Sequence, residues 1–184
     1  MQIERLAIPD VLKITPKRHG DARGWFAEAY RADVLAEAGV QDRSVQDNQA
    51  YSSVKGTLRG LHLQIPPDPI SKLIRCLKGA IFDVAVDVRA GSPTYGQWVG
   101  AELTADNGAQ LYVPRGFAHA YVTLTADTEV LYKCDGYYSP ACERGLRFND
   151  PAIGIDWPIA EAEVVINDRD RNLPLLADFE PVKL

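Results

Sequence analysis

Short apolar runs separated by turn residues, spaced roughly ten residues apart, are the feature that most constrains the fold of this 184-residue chain. The clearest run is AIFDVAVDV at residues 80–88, in which large apolar residues alternate with Asp or Ala. This period of two is typical of a β-strand. Four further strands are predicted at residues 97–103, 109–114, 119–125 and 128–134. The regular spacing predicts an antiparallel all-β sandwich or barrel.

The two ends of the chain look different from this central part. RADVLAEAG at 31–39 combines good helix formers with a terminal Gly39, which predicts one short helix. From residue 150 onwards repeated prolines predict turns with no more than a one-turn helix. We therefore expect one domain over residues 1–184, with an N-terminal extension to about 45, a barrel over about 46–148 and a C-terminal segment from about 149.

Charge and composition exclude two broad classes of function. The net charge of −5 argues against a general nucleic-acid binder, which needs a basic face. No apolar run reaches the ~20 residues of a membrane span, and the N-terminus lacks the apolar core of a signal peptide. Cys76, Cys134 and Cys142 have no CxxC spacing and are predicted to be buried, reduced thiols. We expect a cytoplasmic protein without nucleic-acid or membrane partners.

The stretch RGLHLQIPPDPISKL at 59–73 places two cations and an imidazole in an otherwise strand-like segment. Histidine titrates near neutral pH and suits His62 to general-base work. Lys72 is placed to stabilise an oxyanion, and Arg59 to hold a phosphate or carboxylate. Strict alternation puts Arg59 and His62 on opposite faces of a strand, so a bulge or bend at Gly60 is required.

Two histidines stand in frames that resemble the half-motifs of the cupin superfamily of double-stranded β-helix barrels. These frames are GTLRGLH, ending at His62, and PRGFAH, ending at His119. In metal-binding cupins a second His and a Glu follow, whereas this chain has Gln64 and Lys72. A cation repels a divalent metal, and two histidines leave too few ligands. No metal and no cofactor are expected.

Added to His62 and Lys72, Tyr132 completes an arrangement suited to enolisation. A base on one face, an acid on the other and a cation at the oxygen between them remove a proton and return it with inversion. The residues also have plainer interpretations: a structural histidine, a tyrosine packed in a sheet, and a solvated edge carrying Arg and Lys. Spacing alone does not decide between them.

Longer motifs, taken together, resemble the dTDP-4-dehydrorhamnose 3,5-epimerase family. The resemblance covers nearly the whole chain and runs through GDARGWFAEAY (20–30), QDNQAYSSVKGTLRGLHLQ (46–64), KLIRCLKGAIFDVAVDVRAGSPTYGQW (72–98), LYVPRGFAH (111–119), LYK with YYSP and Glu143 (131–143), FNDPAIGIDWP (148–158) and DRDRNLP (168–174). It implies an isomerase of the dTDP-rhamnose pathway with a cupin-type jelly-roll fold and short peripheral helices.

The catalytic roles implied by this resemblance agree with the reasoning from the residues themselves. His62 matches the family's base and Asp170 the carboxylate that pairs with it. Tyr132 matches the acid on the opposite face, and Lys72 the residue beside the keto oxygen of the substrate. For His119 a supporting hydrogen bond is expected in preference to direct catalysis.

The resemblance also implies a site for a dTDP-linked 4-keto-6-deoxysugar. The matching positions are Arg23 and Arg59 at the diphosphate, Gln46 and Asn48 near the nucleotide, and Tyr138 and Glu143 at the thymine base. In the family the N-terminal segment crosses to a partner subunit, so a homodimer is expected and Arg23 is expected to serve the neighbouring site.

Some positions depart from the family pattern. Arg18 and His19 stand where an aromatic residue is usual, which puts base stacking at that place in question. Ile70 replaces a Gln within an unusual PPDPIS loop, Ala120 replaces a Gly, and Arg169 replaces a Lys beside Asp170. None removes a proposed catalytic group, but together they bear on which carbon is epimerised. Two alternatives stay open: a single-centre 3- or 5-epimerase, and a cupin that binds a nucleotide sugar without converting it.

Overall fold

A computed structural model describes residues 1–40 and 43–184, and its regular structure consists mainly of short β-strands. The strands are β1 (Gln2–Arg5), β2 (Leu12–Thr15), β3 (Arg18–Asp21), β4 (Gly24–Ala27), β5 (Gln46–Ser52), β6 (Leu58–Gln64), β7 (Lys72–Lys78), β8 (Ala80–Asp87), β9 (Trp98–Thr104), β10 (Gln110–Val113), β11 (Phe117–Thr123), β12 (Thr128–Cys134) and β13 (Glu143–Gly145). The α-helices described are α1 (Ala32–Glu37) and α2 (Asp168–Arg171).

Two antiparallel sheets form the body of the protein. Six strands lie in the order β1-β2-β10-β7-β12-β5, and five lie in the order β13-β6-β11-β8-β9. A third, two-stranded sheet is the β3–β4 hairpin. The predicted all-β jelly-roll class is confirmed. The five predicted strands are present, with ends shifted by at most two residues.

The hydrophobic core lies between the two large sheets. Ile74 and Val130 of the six-stranded sheet pack with Ile81, Ala85 and Leu103 of the five-stranded sheet. Strand β8 is buried on both faces, since its other face packs against the C-terminal segment. This explains why both residue sets of its alternating pattern, including the acidic one, are hidden from water.

The chain ends cover the outside of this body. Strands β1 and β2 join the edge of the six-stranded sheet beside β10, and α1 packs over that sheet through Leu35. The short helix predicted at 31–39 is confirmed. The C-terminal segment contains two single 3₁₀ turns and the four-residue α2, as its prolines predicted. The predicted boundaries near 45 and 149 stay predictions.

The charged stretch 59–73 is divided between the two sheets. Its first part is β6 of the five-stranded sheet, and Lys72 begins β7 of the six-stranded sheet. Side chains from its two ends can therefore meet across the barrel interior. In the part of the chain that the structure describes, no helix is long and apolar enough to cross a membrane.

A bulge at Gly60 resolves the problem of alternation in β6. The strand pairs with β11 so that Arg59 lies opposite Tyr121 and His62 opposite His119, three positions against two. Gly60 has φ +123°, and a Cβ there would lie 2.5 Å from the carbonyl oxygen of His119. Only glycine fits this place without strain. The irregularity expected at Gly60 is confirmed.

Candidate active site

The imidazole of His62 is paired with a buried carboxylate from the C-terminal segment. Its Nε2 lies 2.8 Å from Oδ1 of Asp170, whose side chain is 2% exposed. The other oxygen of Asp170 accepts from the backbone N–H of Gly60 at 3.2 Å. Asn167 caps α2 by accepting from the backbone N–H of Asp170 at 2.7 Å. The helix cap and the bulge in β6 thus orient one carboxylate towards one imidazole.

The charge of this pair determines which nitrogen of His62 carries the hydrogen. Burial by itself raises the pKa of Asp170. The hydrogen bond and charge of His62 and the N–H of Gly60 lower it by a larger amount, so that the net shift is downward. The carboxylate therefore stays ionised and can only accept. Nε2 of His62 must be the donor, and Nδ1 is left as the nitrogen that can take a proton. The imidazole is 26% exposed and accessible from the cavity.

Lys72 lies against His62 from the opposite sheet. Its Nζ donates to the backbone oxygen of His62 at 3.3 Å. Burial lowers the pKa of this lysine, while its interactions with Cys134, Asp83 and Glu143 oppose that shift. A partly desolvated ammonium beside an imidazole is suited to stabilise an oxygen on which negative charge develops.

Tyr132 faces the barrel interior from β12, where it pairs with Asn48 of β5 and Ile74 of β7. Burial raises its pKa, Cys134 and Glu143 raise it further, and the charge of Arg59 lowers it. A phenol with a raised pKa keeps its proton at neutral pH and can deliver it as an acid.

His119 and Asp83 form a second, fully buried pair. Nε2 of His119 lies 2.8 Å from Oδ1 of Asp83. Burial lowers the pKa of His119 and raises that of Asp83, and each partner opposes the shift of the other. With His119 only 6% exposed, the geometry is that of a supporting group behind the pocket.

A cavity of about 110 Å³ brings most of the predicted residues together. Its wall is formed by Gln46, Asn48, His62, Leu63, Gln64, Ile70, Lys72, Tyr132, Cys134, Tyr138 and Glu143. His62 belongs to the five-stranded sheet and Tyr132 to the six-stranded sheet, so the two side chains reach this cavity from different sheets.

The mouth of the cavity carries polar groups joined to one another. Gln46 Nε2 donates to Oδ1 of Asn48 at 3.0 Å. The hydroxyl of Tyr138 donates to Oε2 of Glu143 at 2.8 Å, and Arg169 forms an ion pair with the same oxygen at 2.5 Å. Burial by itself raises the pKa of Glu143. Arg169 and Tyr138 together lower it by a larger amount, so that the net shift is downward.

A larger cavity, of about 560 Å³, lies beneath the C-terminal segment and shares Glu143 and Arg169 with this region. Leu173, Phe179 and Val182 are among the residues that line it. Neither His62 nor Tyr132 lines it, so the smaller cavity is the candidate active site.

Comparison with known proteins identifies the family. The family described as dTDP-4-dehydrorhamnose 3,5-epimerase matches residues 5–178 of the chain. A protein of that name from Sinorhizobium fredii is 48% identical over 179 residues, which are 97% of this chain and 91% of that protein. The chain belongs to the dTDP-4-dehydrorhamnose 3,5-epimerase family.

Two further members of the epimerase family are informative. The crystal structure of an epimerase from Legionella pneumophila in complex with dTDP-4-keto-L-rhamnose has a TM-score of 0.92 and 43% identity, and the match covers 97% of this chain and 94% of that one. The predicted cupin-type fold is confirmed. A dTDP-4-dehydrorhamnose 3-epimerase from Streptomyces niveus is 37% identical over 97% of this chain and 85% of that protein.

Two arginines predicted from the family pattern do not line the cavity of this epimerase-family chain. Arg59 is exposed and donates to the backbone oxygen of Tyr51 at 3.2 Å. Arg23 lies in the exposed β3–β4 turn and pairs with Asp21 at 2.6 Å. The charge of Arg59 still lowers the pKa of Tyr132.

The departures from the family pattern have distinct locations. The guanidinium of Arg18 lies 4.1 Å from the ring centroid of Trp25. Arg18, which replaces the usual aromatic residue, therefore stacks on the aromatic ring of Trp25. Ile70 contributes an apolar surface to the cavity wall. Ala120 is fully buried and packs against the bulge at Gly60.

Sequence reasoning missed four residues of this region. Asp83, assigned only to a strand face, pairs with His119, and Arg169, noted only as a substitution, pairs with Glu143. Gln64 was noted only as a missing metal ligand, and Cys134 only as a thiol, yet both line the cavity. The role of Asp83 could have been suspected from its sequence position, because an acidic residue in a strand that is otherwise apolar and buried usually has a partner.

Histidine, cysteine and carboxylate side chains in this region are also potential metal ligands. Across residues 1–40 and 43–184, no three His, Cys, Asp or Glu side chains are grouped so as to hold a metal ion. The expectation that neither metal nor cofactor takes part stays a prediction.

Proposed function

We propose that this protein is a cofactor-independent epimerase that converts dTDP-4-keto-6-deoxy-D-glucose into dTDP-4-keto-L-rhamnose by inverting carbons 3 and 5. The observation that carries the proposal is the His62–Asp170 pair, with Lys72 and Tyr132 on the walls of the same cavity. Family membership supports it, since relatives of this chain carry that activity in their names.

The first step is abstraction of a proton next to the ketone. Nδ1 of His62 takes the proton from carbon 3 or carbon 5, and the electrons of the C–H bond move to the 4-keto oxygen. Asp170 stabilises the imidazolium that forms, because its ionised carboxylate lies 2.8 Å from Nε2. The ammonium of Lys72 stabilises the enolate oxygen.

The second step returns a proton on the opposite face. The hydroxyl of Tyr132 donates to the same carbon, the enolate electrons reform the C–H bond, and the ketone is restored. Solvent then reprotonates the tyrosinate and takes the proton from the His62 imidazolium, so that acid and base are both restored. Because the keto group acidifies the hydrogens on both neighbouring carbons, the same base and acid serve twice when the ring is presented again.

The size of the cavity supports a division of the substrate between two regions. A volume of about 110 Å³ is well below the ~300–1,000 Å³ of pockets that enclose a drug-sized ligand. We assign the sugar ring to this cavity and the nucleotide to its mouth, where Tyr138, Glu143, Gln46 and Asn48 lie. Arg59, just outside, is assigned to the diphosphate.

A second copy of the chain is part of the proposal. The β3–β4 hairpin exposes Trp25 at 56% and Phe26 at 71%, an uncommon arrangement for large apolar side chains in a monomer. Arg23, on the same hairpin, is far more exposed than a phosphate ligand of its own subunit needs to be. We assign Arg23 to the diphosphate site of a partner in a homodimer.

A second candidate function is inversion at one carbon only. The Streptomyces niveus relative is named a 3-epimerase and matches 97% of this chain. Ile70 replaces a polar side chain in the cavity wall, and such a change can prevent the second presentation of the ring.

Incubation with dTDP-4-keto-6-deoxyglucose in deuterated water, followed by NMR at carbons 3 and 5, tests both candidates. Deuterium at both carbons, lost in His62→Ala, is the expected result. Label at one carbon would support the single-centre function. Binding of dTDP without exchange would contradict catalysis and leave a nucleotide-sugar-binding protein.

A further inference from the structure

Gln64 lies in the wall of the candidate active site, yet no step of the proposed reaction uses it. It occupies the cupin position where metal-binding members carry a histidine, and its side chain is among the few polar groups that are buried, at 3% exposure. A buried carboxamide is costly unless it is fully hydrogen-bonded. Its partners therefore indicate what it does.

The carboxamide of Gln64 connects two loops that flank the cavity. Nε2 donates to the backbone oxygen of Asp68 at 2.7 Å and to that of Tyr137 at 3.3 Å. Oε1 accepts from the backbone N–H of Ser139 at 2.9 Å. One side chain thereby joins the PPDPIS loop to the segment 137–139.

These three contacts admit glutamine and exclude its nearest relatives. The loops present two carbonyl oxygens, which only accept, and one N–H, which only donates. A glutamate at this place brings a carboxylate oxygen against the two carbonyls of Asp68 and Tyr137. Both hydrogens of Nε2 are already in use, so Gln64 has no donor left for a ligand in the cavity.

The clamped segment carries Tyr138 between its two anchored neighbours. Gln64 holds the backbone on both sides of this tyrosine, at Tyr137 and Ser139, and Glu143 accepts from its hydroxyl. Tyr138 as a whole residue is 56% exposed, so its position depends on these attachments more than on packing.

We propose that Gln64 is a positioning residue that holds Tyr138 ready to stack on the nucleobase of the substrate. This inference rests on the proposed function and adds a device that pre-organises the nucleotide end of the site. A pre-ordered stacking side chain lowers the entropic cost of binding. Loss of the clamp weakens the binding of dTDP and raises KM, and it leaves kcat at saturation nearly unchanged, because His62 and Tyr132 are held by other contacts.

The test measures equilibrium binding of dTDP by titration calorimetry to wild type, Gln64→Met and Gln64→Glu. Both variants should bind about tenfold more weakly, the equivalent of roughly one net hydrogen bond, with kcat within about twofold of wild type. Gln64→Glu should approach wild-type affinity as the pH falls, since a protonated glutamate regains one donor.

A double-mutant cycle with Tyr138→Ala tests whether Gln64 acts through this tyrosine. In the Tyr138→Ala background, Gln64→Met should change the affinity for dTDP by less than about twofold. Gln110→Met is the matched control, since Gln110 is also buried and donates to a loop carbonyl, that of Ala29, at 2.7 Å. It should leave dTDP binding unchanged.

The possible failures are distinguishable. Wild-type protein that neither binds dTDP nor exchanges protons would overturn the proposed function itself. Normal binding by wild type together with unchanged affinity in both Gln64 variants would overturn the clamp alone. The clamp would also be overturned if Gln64→Met reduced the affinity for dTDP equally in wild type and in the Tyr138→Ala background.

Discussion

Replacing Asp170 by Asn should slow proton abstraction by about a hundred- to a thousandfold while leaving the fold in place. The carboxylate lies 2.8 Å from Nε2 of His62 and is 2% exposed, so the imidazolium formed in the reaction faces a nearly desolvated charge. With ~4 Å between charge centres and an effective dielectric of ~20, the attraction is about 4 kcal/mol. At ~1.4 kcal/mol per factor of ten, its full loss corresponds to roughly a thousandfold in rate. The smaller, hundredfold reduction in rate is expected if the imidazole carries only part of its positive charge in the transition state.

The assay is loss of the substrate C–H signals at carbons 3 and 5 in deuterated water, measured at saturating substrate. Asp168→Asn is the matched control, because it makes the same chemical change on the same helix at an exposed position. An Asn side chain can still accept from Gly60, so the thermal unfolding midpoint should change by only a few degrees. A folded Asp170→Asn protein that exchanges at more than a third of the wild-type rate would refute the assigned role of the pair.

Three further predictions concern the acid, the oxyanion group and the bulge. Tyr132→Phe should slow formation of the inverted product more than loss of the C–H signal, because abstraction by His62 remains, and equal slowing in NMR time courses would contradict this. Burial lowers the pKa of Lys72, so activity should fall as the pH rises through that lowered value, below the usual lysine range. Lys72→Gln should lack this alkaline limb in a pH–rate profile, and retention of the limb would assign it to another group. Gly60→Ala places a Cβ 2.5 Å from backbone and side-chain atoms at φ +123°, which should destabilise the protein by about 3 kcal/mol or more. Gly91→Ala, at φ +73° with nothing within 4 Å, should cost only about 1 kcal/mol in chemical denaturation, and similar losses in the two variants would contradict the steric argument.

The strands of the barrel were predictable because their information is local. Alternation of apolar and polar residues over seven or eight positions located β8, β9, β11 and β12 to within two residues. The short strands near the ends, such as β1 and β13, carry too few residues for a period of two to stand out. Their strand conformation comes from pairing with β2 and β6, which the local sequence does not encode.

The candidate site divides in the same way. Residue types and motif frames were enough to propose a base, an acid and an oxyanion group at His62, Tyr132 and Lys72. They did not indicate that Asp83 would support His119, or that Gln64 would join two loops. Each of those contacts joins residues from different strands or loops, and its existence depends on register.

The class of fold and the family could be inferred from the sequence alone, together with candidates for the reactive side chains, because local periodicity and motifs read in order carry this information. Which of these side chains meet depends on the folded chain. The pairing of His62 with Asp170 spans 108 positions and depends on a bulge at Gly60 and a helix cap at Asn167. Hydrogen bonds and charges act over a few ångströms in space, whereas the pattern along a chain reports only on neighbours in sequence.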